Sequence, residues 1–188
     1  MALKSTSSPI AISSSMPLTV PANAEASATK TIDLQLNPLD NEVFVVTAVK
    51  IDFLDLPQVD GSASRAGDTF LQCSVLKNQP PTGTVQTLAN SNCIASSKMN
   101  LFIQVDTSAP PLINVRQYAI WENSAMDTPP ATQDYLDIIA TDNFVIQFSN
   151  GEGLAGQTVN AAVRVYGYRA RADAATYAAL VQSEVLSA

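Results

Sequence analysis

The chain has 188 residues, a formal net charge of −7, 46% hydrophobic residues and 14% charged ones, enough apolar material for one domain with a sizeable core. It contains no histidine, which excludes Ser-His-Asp and Cys-His nucleophile systems, His-ligated metals and imidazole acid–base chemistry together. Seventeen acidic against ten basic side chains give no electrostatic basis for gripping a phosphate backbone, so no direct nucleic-acid binding is expected. The chain is also too polar and too often interrupted by proline for a membrane span.

Residues 1–30 hold seven serines and Pro9, Pro17 and Pro21, with single apolar residues between them. Such a segment builds no core of its own. It reads either as a disordered tail or as an extended arm lying on a neighbouring subunit, with Ile10, Ile12, Leu18 and Val20 as anchors. On the second reading, a chain starting at Thr31 keeps its fold and loses assembly. Lys4, the stretch Pro9 to Val20 and Ala22-Asn23-Ala24 imitate a secretory leader. Ser13, Ser14, Ser15 and Pro17 interrupt the apolar run such a leader needs, and the start at Met1 also speaks against one.

From Thr31 the pattern has period two. Ile32, Leu34 and Leu36 share one face, and after the turn Asn37-Pro38-Leu39-Asp40-Asn41 so do Val43, Val45, Thr47, Val49, Ile51 and Phe53. Phe44 and Val46 make the start of the opposite face apolar too. Further strands are predicted over 69–76, 99–105, 112–121, 135–140, 143–149 and 157–170, with a short one over 84–88. The pairs Pro80-Pro81, Pro110-Pro111 and Pro129-Pro130 fall between these runs. With no helical segment between strands, an antiparallel sandwich spanning 31–171 is expected. Residues 172–188 read as a helix capped by Asp173, with Tyr177, Leu180, Val181 and Val185 on one stripe, packing on its own sandwich.

Several constellations invite a chemical reading. Gly151-Glu152-Gly153-Leu154-Ala155-Gly156 has the spacing of a dinucleotide loop but is followed by a β-rich segment, so a hairpin loop is expected. Asp52, Asp55, Asp60 and Asp68 surround one loop and match no EF-hand spacing; a solvated acidic loop is the default and a calcium ion the alternative. Cys73, inside an apolar run, reads as a buried thiol, and pairing with Cys93 is left open. Arg164, Tyr166 and Tyr168 share a face of the last strand, as do Arg169 and Arg171, a composition suited either to a protein interface or to pairing with nearby acids. No catalytic, metal or cofactor residue is assigned. A glycosidase would need two distinguished carboxylates and a richer aromatic cleft than Trp121 and five tyrosines supply.

The apolar-studded Ser/Pro arm, about eight antiparallel strands, the missing histidine and the low charge together resemble single jelly-roll virion structural proteins, capsid or capsid-associated. The resemblance covers residues 31–171 plus the arm. It implies a jelly-roll-like sandwich, self-assembly into a homo-oligomer with other particle proteins, and a place in the virion. The absent histidine, the glycine loop without a βαβ context and the lack of a nucleophile with a base lead separately to the expectation of no enzymatic activity and no cofactor. The arm departs from small RNA-virus coats in lacking basic residues. A carbohydrate- or surface-binding module, adhesin-like and extracellular, is the alternative, with a hydrolase behind it.

Overall fold

The computed structural model describes residues 3–22, 24–55, 67–80, 86–106, 114–121, 127–129, 131–152 and 156–186. The strands are β1 (Lys4–Ser5), β2 (Ile10–Val20), β3 (Ala26–Asp33), β4 (Glu42–Phe53), β5 (Gly67–Leu76), β6 (Cys93–Asp106), β7 (Asn114–Trp121), β8 (Asp137–Ile139), β9 (Asn143–Asn150) and β10 (Gln157–Arg171), followed by the helix α1 (Ala174–Leu186). They form two five-stranded antiparallel sheets. In the first, β10 lies between β4 and an edge made by β1 and then β2, with β8 beyond β4; in the second the order is β3-β9-β5-β6-β7. Leaving out β1 and β7, the eight remaining strands wind as two interleaved four-stranded sheets, β2-β10-β4-β8 and β3-β9-β5-β6. Each sheet draws strands from both halves of the chain, which is the jelly-roll order.

The core fills the space between the sheets: Leu71, Cys73 and Val75 from β5, Phe144, Ile146 and Phe148 from β9, and Val159, Ala161, Val163 and Val165 from β10, all buried. Their odd or even spacing in each strand is the period-two signal of the sequence. In β4 one residue breaks it. Tyr166 pairs with Ala48 and Gly167 with Val46, so Thr47 is an extra residue that bulges and exchanges the faces. Phe44 and Val46 point into the core before the bulge, and Val49 and Ile51 after it. Val43 and Val45 face outward and are covered by Tyr177, Leu180 and Val181 of α1. The expected single face through 43–53 is therefore two half-faces.

The helix packs on its own sandwich, as expected, and Asp173 caps it: its Oδ1 accepts the Thr176 N–H at 2.9 Å and its Oδ2 the Thr176 hydroxyl at 2.7 Å. These bonds hold the Asp173 carboxyl below its ordinary pKa. The stripe runs through Tyr177, Leu180 and Val181 to Glu184, which is 2% exposed, while Val185 is 62% exposed. Positions i, i+3, i+4 and i+7 share a helix face, and position i+7 from Tyr177 is Glu184.

The largest departure from expectation is at the N-terminus. Residues 10–20 are not an arm: β2 pairs with β10 along its whole length, from Val20 opposite Gln157 to Ile10 opposite Gly167. Met16, Leu18 and Val20 are buried in the chain's own core, with Ile10 and Ile12 packed against its rim. Pro17 is tolerated because β2 is an edge strand, where a missing N–H need not break a ladder. β3 likewise begins at Ala26, so the boundary at residue 31 cuts through a strand. Of the predicted short strand 84–88, residues 84 and 85 lie outside the described residues and 86–88 are not strand.

Candidate functional site

The sandwich leaves one sheet face half covered. On the outer side of the first sheet α1 shields the end around Val43, Val45 and Ala170, and the other end lies open. There the register aligns three strands into rows: Ser13 of β2 opposite Arg164 of β10, itself opposite Lys50 of β4, and next to them Ser15, Ala162 and Asp52. These residues line a shallow basin of about 510 Å³. Arg164 Nε donates to Ser13 Oγ at 2.9 Å, and Lys50 Nζ lies 3.1 Å from Asp52 Oδ2. From β3, Lys30 Nζ donates to the Ser15 carbonyl at 3.0 Å across the outer edge of β2.

Arg164, Tyr166 and Tyr168 share the outer face of β10, as expected, and α1 divides it. Arg164 and Tyr166 stand on the open half, whereas Tyr168 packs into the cluster under α1. Arg169 is tied down within the fold: it donates to the Leu34 carbonyl at 2.9 Å and lies 3.6 Å from Glu42. Arg171 pairs with Asp40 at 2.6 Å. Of the apolar anchors assigned to an interface, Leu18 and Val20 are 2% and 1% exposed inside their own sandwich, so neither is available to a neighbour. The serines and Lys50 of the basin went unrecognised in the sequence because residues 10–20 read as an arm; Ser13 and Ser15 gain a neighbour in Arg164 only once β2 pairs with β10.

The other candidates resolve into structural roles. Asp52 is paired with Lys50, and Asp55 Oδ2 accepts a hydrogen bond from Asn160 at 2.6 Å. Asp60 and the side chain of Asp68 lie outside the described residues, among which no group of three or more acidic or cysteine side chains is placed to hold a metal ion. Cys73 and Cys93 are free and buried. They cannot pair because they occupy opposite faces of the β5–β6 ladder, Cys73 in the core and Cys93 beside Leu76 and Val145. Burial pushes the Cys73 thiol up to about 12 and that of Cys93 to about 11. Burial also raises the Asp127 carboxyl.

The Gly151 loop is not a hairpin. It carries the chain from β9 in one sheet to β10 in the other, and Gly156 leads into a strand, as expected. Gly151 is required by contact: a Cβ there would stand 2.9 Å from the Phe70 ring. On the outer side of the second sheet, Gln72 and Ser74 donate to the Gln86 carbonyl at 3.0 and 2.8 Å, and Gln147 Oε1 accepts the Gln86 N–H at 3.0 Å. This polar network fastens the segment around Gln86 over the sheet.

No protein-family model matches the chain, and no curated protein sequence matches it. Among solved structures, an unassembled KI polyomavirus VP1 pentamer is similar, with a TM-score of 0.49 and 11% identity over 92% of this chain and 99% of that one. A Human Polyomavirus 6 VP1 pentamer has a TM-score of 0.48 and 8% identity over 89% and 96%. The 60-mer BFDV capsid protein has 0.31 and 12% over 87% and 92%. The strand order defines the class to which the chain itself belongs, an antiparallel jelly-roll β-sandwich with a C-terminal helix.

Proposed function

We propose that this chain is a non-enzymatic structural subunit of a virus particle, capsid or capsid-associated, that assembles with copies of itself and with other particle proteins. The observation that carries the reading is the jelly-roll order of the two sheets, β2-β10-β4-β8 on β3-β9-β5-β6. That fold serves mainly virus shells, lectin-type domains and cupins. The histidine-free sequence removes the His-ligated metal chemistry of the last group. With a net charge of −7 the subunit makes no direct contact with nucleic acid, and any genome charge is neutralised by another component.

Assembly on this reading uses the surfaces of the finished sandwich. The open half of the first sheet around Arg164 and Tyr166 is one, and the edges offered by β2 and β3 are others. Light scattering and negative-stain electron microscopy of the purified protein, over a range of salt and protein concentration, test this. Closed shells or rings of defined subunit number are the expected outcome. A protein that stays monomeric under all conditions, or one that turns over a glycosidic, ester or phosphoester substrate with the activity lost on changing one Asp or Glu, overturns it.

A further inference from the structure

We infer that the basin on the outer face of the first sheet is a binding site for a single carboxylate group. Arg164 is oriented for it: its Nε is occupied by Ser13 Oγ at 2.9 Å, which fixes the plane of the guanidinium. Its two terminal nitrogens have no partner among the described residues. Lys50 stands directly opposite Arg164 on the neighbouring strand. Two like charges in that relation repel, and an anion seated between them turns the repulsion into two attractions.

The charge and shape of the basin select the ligand. Arg164 and Lys50 bring two positive charges and Asp52, 3.1 Å from Lys50, brings one negative, so the lining balances a monoanion rather than a dianion. The paired terminal nitrogens of arginine take a carboxylate or a phosphate alike, so it is the single surplus positive charge of the lining that favours a carboxylate over a phosphate dianion. Ser13 and Ser15 supply hydroxyls on the β2 side, and Ala162 between them and Asp52 leaves the floor low. A volume of about 510 Å³ exceeds that of a bare carboxylate, so the group belongs to a larger body: a small organic acid, or an acidic side chain of a second copy. The site stands on this geometry whether or not the chain builds a shell.

The test is a nuclear magnetic resonance titration of the labelled full chain with acetate at pH 7 and constant ionic strength, with chloride as control. The wild-type chain is compared with Arg164→Gln and Lys50→Gln. Saturable shifts at Ser13, Ser15, Lys50 and the Arg164 Nε–H, with affinity about tenfold lower in Arg164→Gln and also reduced in Lys50→Gln, are expected. Equal shifts with chloride, no saturation, or unchanged affinity in both variants overturns the site. Sedimentation without acetate separates the sources. Self-association that acetate reverses assigns the carboxylate to a second copy; a monomer that binds acetate assigns it to a free acid.

Discussion

Glu184, near the end of α1, accepts two backbone hydrogen bonds from the turn between β8 and β9: Oε1 takes the Ala140 N–H at 2.8 Å and Oε2 the Thr141 N–H at 2.9 Å. The side chain is buried, and the Asn78 side-chain amide donates to its carbonyl, so one residue fastens the helix to both sheets. Hydrogen bonds to a charged acceptor contribute about 1.5–3 kcal/mol each, and a buried N–H left without a partner carries its own desolvation cost.

Glu184→Ala is therefore expected to destabilise the fold by about 3–5 kcal/mol in urea unfolding. Glu184→Gln keeps one acceptor oxygen, and its loss is expected to be about half as large. An alanine variant within about 0.5 kcal/mol of the wild type would mean that α1 is held by Tyr177, Leu180 and Val181 alone.

Gly167 tests the bulge. A Cβ at this position would lie 2.3 Å from the Val45 carbonyl oxygen and 2.7 Å from the Phe44 ring, and both belong to the strand across which Thr47 shifts the register. Neither the backbone nor a fully buried ring yields at low cost, so Gly167→Ala is expected to cost about 3 kcal/mol or to prevent folding. Gly156→Ala, whose new Cβ meets nothing closer than 3.7 Å, is the control and is expected to stay within about 0.5 kcal/mol of wild type.

Strands were legible in the sequence where burial imposes alternation. In β9 and β10 every second side chain enters the core, and the apolar runs at 143–149 and 157–170 fall close to the observed bounds. In β2 the same alternation is present as Ile10, Ile12, Met16, Leu18 and Val20, yet Ser14 interrupts it and Pro17 argues against a strand. Both residues are compatible with an edge position, which is a property of the sheet and not of the segment. The bulge at Thr47 left only an indirect trace, the apolar Phe44 and Val46 on the supposedly outer face. The basin was hidden for a related reason: Ser13, Arg164 and Lys50 come from three distant segments, and only the registers of β2 and β4 on β10 align them.

The two cysteines are expected to be inert in the native state. The thiolate is the reactive form, and burial holds Cys73 and Cys93 protonated to about pH 12 and about pH 11. A thiol reagent at pH 8 should modify neither in the native chain and both in guanidinium chloride. The sign of the pH effect comes from the same shifts: the unfolded chain releases these protons near the ordinary thiol value of 9.0, the folded chain later, so alkali favours the unfolded state. Stability should fall as pH rises above about 9, and replacing both residues by alanine, at some cost in packing, should flatten that decline. Rapid native-state labelling would show that the β5–β6 region opens.

Removal of the first thirty residues separates the observed fold most sharply from the sequence reading of an arm. Such a truncation deletes β1, β2 and most of β3, which removes an edge strand from each sheet. It also takes Met16, Leu18 and Val20 out of the core and exposes the apolar surfaces they covered. At about 1.5–3 kcal/mol for each buried side chain, these three contribute about 5–9 kcal/mol, before any loss of ladder hydrogen bonds along β10 and β9. A domain of this kind is stable by only about 5–15 kcal/mol in total, so the truncated chain is expected to be unfolded or aggregated, with no cooperative thermal transition by circular dichroism. Adding a peptide of residues 1–30 should restore part of the β signal if the missing strands are the cause. A truncated chain that melts cooperatively near the wild-type temperature but fails to form assemblies would instead establish residues 1–30 as an intersubunit arm, and would place β2 on a neighbouring copy rather than on its own β10.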